Sequence, residues 1–143
     1  DSKPFGVTYL LLDETIDVTE AAKDALRKHR AYATVGPEIS VAAYSDKAEA
    51  GIGGTLPGGY INFRMQTDYG RRASVWEAFD IKPEYYSLIG PRDEELARAA
   101  FTGYGIETCL CAELSSGWIR VELHGTMNGY RCPIVITNPV IIR

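Results

Sequence analysis

Between residues 106 and 142 apolar and polar side chains alternate with the two-residue period of β-strands, punctuated at Ser116-Gly117 and Asn128-Gly129. Both dipeptides suit two-residue hairpin loops. Asn-Gly is the stronger signal, because a type I′ turn requires positive φ at both central residues. The pattern predicts a three-strand antiparallel meander. Pairing Ser115 with Trp118 sets Leu114 opposite Ile119, Ala112 opposite Val121 and Leu110 opposite Leu123. Pairing Met127 with Tyr130 adds Ile134 opposite Leu123 and Ile136 opposite Val121 on the same face. The other face then collects Glu113 beside Arg120, Cys111 beside Glu122 and Cys109 beside His124, with Val135 and Thr137 on the third strand. Cysteine and valine are uncommon on a fully solvated face, so this side is expected to be partly covered by a helix, a strand layer or a second subunit.

Upstream, residues 5–12 read as a buried strand. A helix is expected from Asp17, an N-cap with Glu20 three places later, and its apolar stripe runs Val18, Ala21, Ala22, Ala25 and Leu26. Residues 32–35 and 39–44 look extended. A loop over 51–60 holds five of the fourteen glycines. It lacks the Gly-Lys-Ser/Thr ending of a phosphate-binding loop and leads into a strand, so a mobile loop or tight bend beside a pocket is the better reading. Residues 60–66 read as a strand, 68–79 as a short helix and 84–89 as extended. A last helix is expected after Gly90-Pro91, with Asp93, Glu94 and Glu95 in its first turn and Leu96, Ala99, Ala100 and Gly103 packing. This order predicts an α+β fold, a single mixed or antiparallel sheet with helices packed on one face and a three-strand meander at its end. One domain over residues 1–143 is expected, with an internal duplication of about 5–63 and 60–126 hinted at by the order of elements.

Composition narrows the function classes. A chain of 143 residues with 45% hydrophobic and 24% charged residues has material for one core. Its net charge is −4 and no Lys/Arg cluster is interleaved with aromatics, so nucleic acid is not an expected partner. No apolar run approaches the ~20 residues of a membrane-spanning helix, and no membrane partner is expected. Three cysteines is an odd number, and Cys109 and Cys111 are poorly placed to bridge each other. Reduced thiols and a cytoplasmic location are therefore expected. The chain opens Asp1-Ser2; this is equally compatible with processing and with an upstream cut, and a lost signal peptide would overturn the cytoplasmic expectation.

In the middle of the chain, Leu56-Pro-Gly-Gly-Tyr-Ile-Asn-Phe63, then Tyr69-Gly70 and Trp76-Glu-Ala-Phe79, resembles the effector-binding domains of the GyrI-like family. Glu107 matches an acidic position in that family's later strands. The resemblance implies binding of a small, cationic or aromatic molecule in a cleft between duplicated halves. The long three-strand ending departs from the family's compact repeat, so the resemblance adds weight to ligand binding and does not assign a family.

The candidate chemistry lies on the polar face of the meander. An imidazole beside a thiol can leave a thiolate, so Cys109, His124 and an orienting Glu122 form the catalytic candidate. The plainer alternative is a buried thiol and a histidine that satisfies a hydrogen bond. Cys109, Cys111 and His124 form no Cys-x-x-Cys knuckle, and neither a metal nor a cofactor is expected. Arg120, Glu107 and Glu113 are the polar ligand-binding candidates, with Trp76, Tyr85, Tyr86 and Tyr104 as an aromatic wall. The resulting expectation is a small-molecule-binding domain that forms a homo-oligomer through the meander and takes a small organic ligand, Arg120 fixing an anionic group and Glu122 or Glu107 a cation or hydroxyl. The alternatives are a small enzyme using thiol or acid/base chemistry from Cys109, His124, Glu122 and Arg120, and a structural assembly subunit.

Overall fold

The computed structural model describes residues 7–12, 17–70 and 77–143. Along the chain these form β1 (Val7–Leu10), α1 (Val18–Arg27), β2 (Ala31–Thr34), β3 (Glu38–Tyr44), β4 (Glu49–Ala50), β5 (Thr55–Leu56), β6 (Gly59–Asp68), β7 (Ile81–Ile89), β8 (Glu95–Ala100), β9 (Thr108–Leu114), β10 (Gly117–Met127), β11 (Tyr130–Thr137) and β12 (Val140–Ile142). A single 3-10 turn, Glu77–Phe79, precedes β7. The α+β expectation is overturned. The described residues are mostly strand, with one α-helix and two antiparallel sheets that resemble a β-sandwich rather than one sheet under a layer of helices.

In the first sheet the long strand β10 is central. On one side it pairs with β7, which pairs with β8. On the other it pairs with β11 over its second half and with β12 over its first, because the chain bends between the two at Asn138-Pro139. Beyond β11 lie β2 and β1, and β5 joins β12 in parallel. The second sheet runs β4-β3-β6-β9. Their facing sides share one core, with Ile39, Ile61, Phe63 and Met65 from the second sheet packed with Tyr86, Leu88, Ile119, Val121 and Leu123 from the first. Across that core the Thr67 and Tyr86 hydroxyls hydrogen-bond at 2.6 Å, which satisfies two buried polar groups and links the sheets.

The helix and the second hairpin form as the local signals require. Asp17 accepts from the backbone N–H groups of Thr19 and Glu20, and Ala21 and Ala25 are buried. Val18 and Leu26, expected on the packed stripe, are exposed. At Asn128-Gly129 φ is +52° and +83°, and Met127 pairs with Tyr130. A bulge after Leu123 then shifts the register by one. Leu123 meets Val135 instead of Ile134, and Ile136 meets Glu122 instead of Val121. A one-residue slip turns a side chain to the opposite face, which carries Ile136 to the outer surface.

The expected three-strand meander does not form, because β9 pairs with β6 and crosses to β10 in the other sheet through Ser115-Ser116. None of the register assigned across Ser116-Gly117 survives. Gly117 does adopt positive φ, +126°, but at a corner between layers. The helix expected after Gly90-Pro91 is strand β8. Glu-Leu-Ala-Arg-Ala-Ala is composed of strong helix formers, yet it is held as a strand by pairing with β7, and Gly90 to Glu94 form the hairpin loop. Of the helix expected over 68–79, Asp68 ends β6 and residues 71–76 lie outside the described residues. In the glycine-rich loop, a Cβ at Gly53 would run into the Lys28 carbonyl and one at Gly58 into that of Ser115. The Gly53 N–H donates to the Pro139 carbonyl. These glycines serve close backbone approach.

Candidate functional site

The outer face of the first sheet is organised by β10, whose alternate residues Trp118, Arg120, Glu122 and His124 carry its polar chemistry. Glu122 is at the centre, with its side chain 9% exposed and both oxygens engaged. Arg120 Nε donates to Oε2 at 2.6 Å, and His124 Nε2 lies 2.7 Å from Oε1. Arg120 Nη1 also reaches Asp93 Oδ1 at 3.1 Å, and its guanidinium lies 5.2 Å from the centre of the Trp118 ring. Partial burial pulls the Arg120 pKa down, but the bonds to Glu122 and Asp93 outweigh this and hold it above the ordinary value. Arg120 is a fixed cation.

The chain of contacts continues across β7 and β8. The Tyr85 ring stacks on His124 at 5.2 Å with an interplanar angle of 3°, and Arg98 caps Tyr85 at 3.8 Å. Glu95 Oε1 accepts from Arg98 Nε and from the Ser87 hydroxyl, each at 2.7 Å. The Arg98 bond is the main reason that the Glu95 carboxyl is held below the usual carboxylate range. Stacking and the carboxylate bond together fix the orientation of the His124 ring.

Between Arg120 and the bend from β11 to β12 lies a cleft of about 390 Å³, lined by Trp118, Arg120, Glu122, Ile136, Asn138 and Pro139. The bend produces it. Where β11 gives way to β12, the Val121 N–H is met by the Thr137 hydroxyl at 3.0 Å, and Asn138 donates instead to the Ala31 carbonyl on β2. That local loss of strand pairing opens the sheet surface beside Arg120.

No protein-family model matches the chain, and no curated protein matches it.

Of the residues singled out in the sequence, Arg120, Glu122, His124 and Tyr85 are brought together. Cys109, Glu107 and Glu113 are not, because they lie on the outer face of the second sheet and are exposed. Cys109 sits opposite Arg64, with its thiol 4.0 Å from Glu107 Oε1, and Glu113 sits opposite Tyr60. The Cys109–His124, Cys111–Glu122 and Glu113–Arg120 juxtapositions are corrected by the separation of β9 from β10. Tyr86 points into the core, Tyr104 packs against Tyr69 and Phe101, and Trp76 lies outside the described residues. Burial pushes the Tyr104 phenol up to about 12.

Trp118, Asp93, Asn138 and the Glu95–Arg98–Ser87 group were not anticipated. Trp118 was legible, since it heads the alternation that runs through Arg120, Glu122 and His124. The others depend on pairings that no local pattern announces. Among the described residues no group of three or more His, Cys, Asp or Glu side chains is placed to hold a metal ion, and no helix is long and apolar enough to cross a membrane.

Proposed function

We propose that the chain is a small-molecule-binding domain whose ligand occupies the cleft beside Arg120. The observation that carries this reading is the cleft itself. Its volume falls in the range of small-molecule sites, one wall is an aromatic ring, and the charged group at its edge is already oriented by a buried carboxylate. The bonds to Glu122 and Asp93 use two of the five guanidinium N–H groups. The rest can meet an anionic or carbonyl oxygen. Glu122 acts as a positioning residue, because both its oxygens are engaged by Arg120 and His124. Trp118 and Pro139 supply apolar walls, and the Asn138 side chain can donate or accept.

A thermal-shift screen of metabolites, anions and cationic aromatics tests this on wild type, Arg120→Gln and, as a control on the other sheet, Glu113→Gln. A hit retained in Glu113→Gln and lost in Arg120→Gln is the expected result. A hit indifferent to Arg120→Gln would remove the cleft from consideration.

One observation favours a second reading, an acid/base enzyme. The Glu122–His124 bond at 2.7 Å and the Tyr85 stack orient an imidazole at the end of the same chain of contacts. The thiol form of that reading has no geometric support, with Cys109 on the other sheet.

A further inference from the structure

The cleft does not end at Ile136. A second hollow of about 240 Å³ adjoins it, lined by Thr8, Ala31 and Ala33 and sharing Ile136, Thr137 and Asn138 with the first. The strand registers explain the continuity. Glu122 is paired with Ile136, Ile136 with Ala33, and Ala33 with Thr8, a single row across β10, β11, β2 and β1. Three strand spacings make that row about 14 Å long. In the other direction Glu122 is paired with Ser87, and Ser87 with Arg98.

The row is charged at one end and uncharged, with small side chains, at the other. Arg98, Ser87 and Glu122 lie on one side of Ile136, with Arg120 and His124 beside them. On the other side are Ala33 and Thr8, both exposed and both small, so the surface is low where larger side chains would fill it. Among the described residues, the second hollow has no charged side chain in its lining. Ile136, 39% exposed, is the apolar contact midway.

The polar end is also suited to one sign of charge. Glu122 holds Arg120 at Nε, and Asp93 holds it at Nη1. Asp93 is 76% exposed, so that ion pair is weak. The guanidinium N–H groups not used by Glu122 and Asp93 are left for an oxyanion in the cleft, where a carboxylate meets them as charge-assisted hydrogen bonds.

Resting on the cleft reading above, we propose that the ligand is an amphipathic anion: its carboxylate-like head takes the guanidinium N–H groups of Arg120 that Glu122 and Asp93 leave free, and its apolar tail crosses β11 over Ile136 to lie on β2 and β1.

The test is calorimetric titration of straight-chain alkyl carboxylates from butanoate to tetradecanoate into wild type, Ala33→Gln, Thr8→Gln, Asp93→Asn and Arg120→Gln. Affinity should rise about twofold per added methylene, roughly half the exponent of full burial, and level off once the tail reaches β1. Ala33→Gln should cancel the rise for the longer acids and leave butanoate unchanged. Thr8→Gln, which fills the same end from another strand, should do likewise even if Ala33→Gln folds poorly. Asp93→Asn, which keeps a residue tolerant of the positive φ found there, should tighten every member by removing a negative charge paired with Arg120. A flat series, or a rise that both glutamine variants leave intact, overturns the inference. So does a series that fails to bind while a hit from the metabolite screen still depends on Arg120, and that result leaves the cleft reading standing. Binding of the whole series unchanged by Arg120→Gln removes the cleft reading as well.

Discussion

The two outer faces of the sandwich carry similar kinds of residue in different states. On the first sheet, Trp118, Arg120, Glu122, His124, Tyr85, Arg98, Glu95 and Ser87 form one continuous chain of contacts, and Glu122 in its middle is buried. On the second, Glu107, Cys109, Cys111 and Glu113 are exposed, and Arg64 rests on Tyr44 at 4.9 Å. The difference begins with position in the sheet. β10 is flanked on both sides, so its outward side chains have cross-strand neighbours to right and left, whereas among the described residues β9 is an edge strand that pairs with β6 alone. On β10 ion pairing and ring stacking join the outward residues into a network that reaches edge strand β8, whereas on β9 no such pairing among the described residues holds Glu113, Cys109 and Cys111, and they stay solvated.

The sharpest way to break this contrast is to remove the central carboxylate from each face. Glu122→Ala strands Arg120 and His124 without their shared partner and should lower stability by about 2–3 kcal/mol in urea denaturation. Glu113→Ala should stay within about 0.5 kcal/mol of wild type. Equal losses would erase the distinction between the faces.

The inner side of the first sheet gives the next largest effect. Tyr86→Phe leaves the Thr67 hydroxyl buried without its partner and should lower stability by about 1–2 kcal/mol, with ligand binding at the Arg120 cleft unchanged. Adding Thr67→Val should recover much of that loss, since both polar groups are then gone. A loss of cleft binding in Tyr86→Phe would return this tyrosine to the ligand site.

Acid titration sharpens the comparison more gently. The folded-state pKa of Glu95 is depressed, chiefly by the Arg98 bond, so its contribution to stability is fully present above the unfolded carboxylate range and is lost as pH falls through the depressed value. The melting temperature of wild type relative to Glu95→Gln should be constant near neutrality and converge in acid. A difference that grows with acidification would contradict the sign. The smallest effect is expected for the thiols. Cys109 and Cys111 are exposed and far along the topology from His124, so their maleimide labelling rates should be unchanged by His124→Ala. A slower Cys109 in that variant would restore the catalytic pair.

How much of this was legible in the sequence is clearest at the two turns. Asn128-Gly129 specifies a hairpin because both residues tolerate positive φ, and the signal stands within the turn itself. Ser116-Gly117 carries the same kind of local permission, yet its two strands pair with different partners. A glycine that allows a sharp reversal suits a hairpin and a corner between layers alike. The candidate site divides in the same way. Arg120, Glu122 and His124 share a face because of the period of an extended chain. Their link to Tyr85, Glu95 and Arg98 depends on β7 and β8 pairing alongside, with β8 drawn from a segment of strong helix formers.

The sequence by itself determined the Asp17-capped helix, the Asn128-Gly129 hairpin and the alternation that aligns Arg120, Glu122 and His124, since each rests on interactions within a few residues. Only the tertiary structure decided that β9 leaves β10 for β6, that Glu95–Ala100 is a strand, and that Ile136 turns outward through a one-residue bulge. Those outcomes are set by which strands find each other and by the burial of a core shared between sheets. Such long-range pairing outweighs local preference without leaving a mark in any short stretch of sequence.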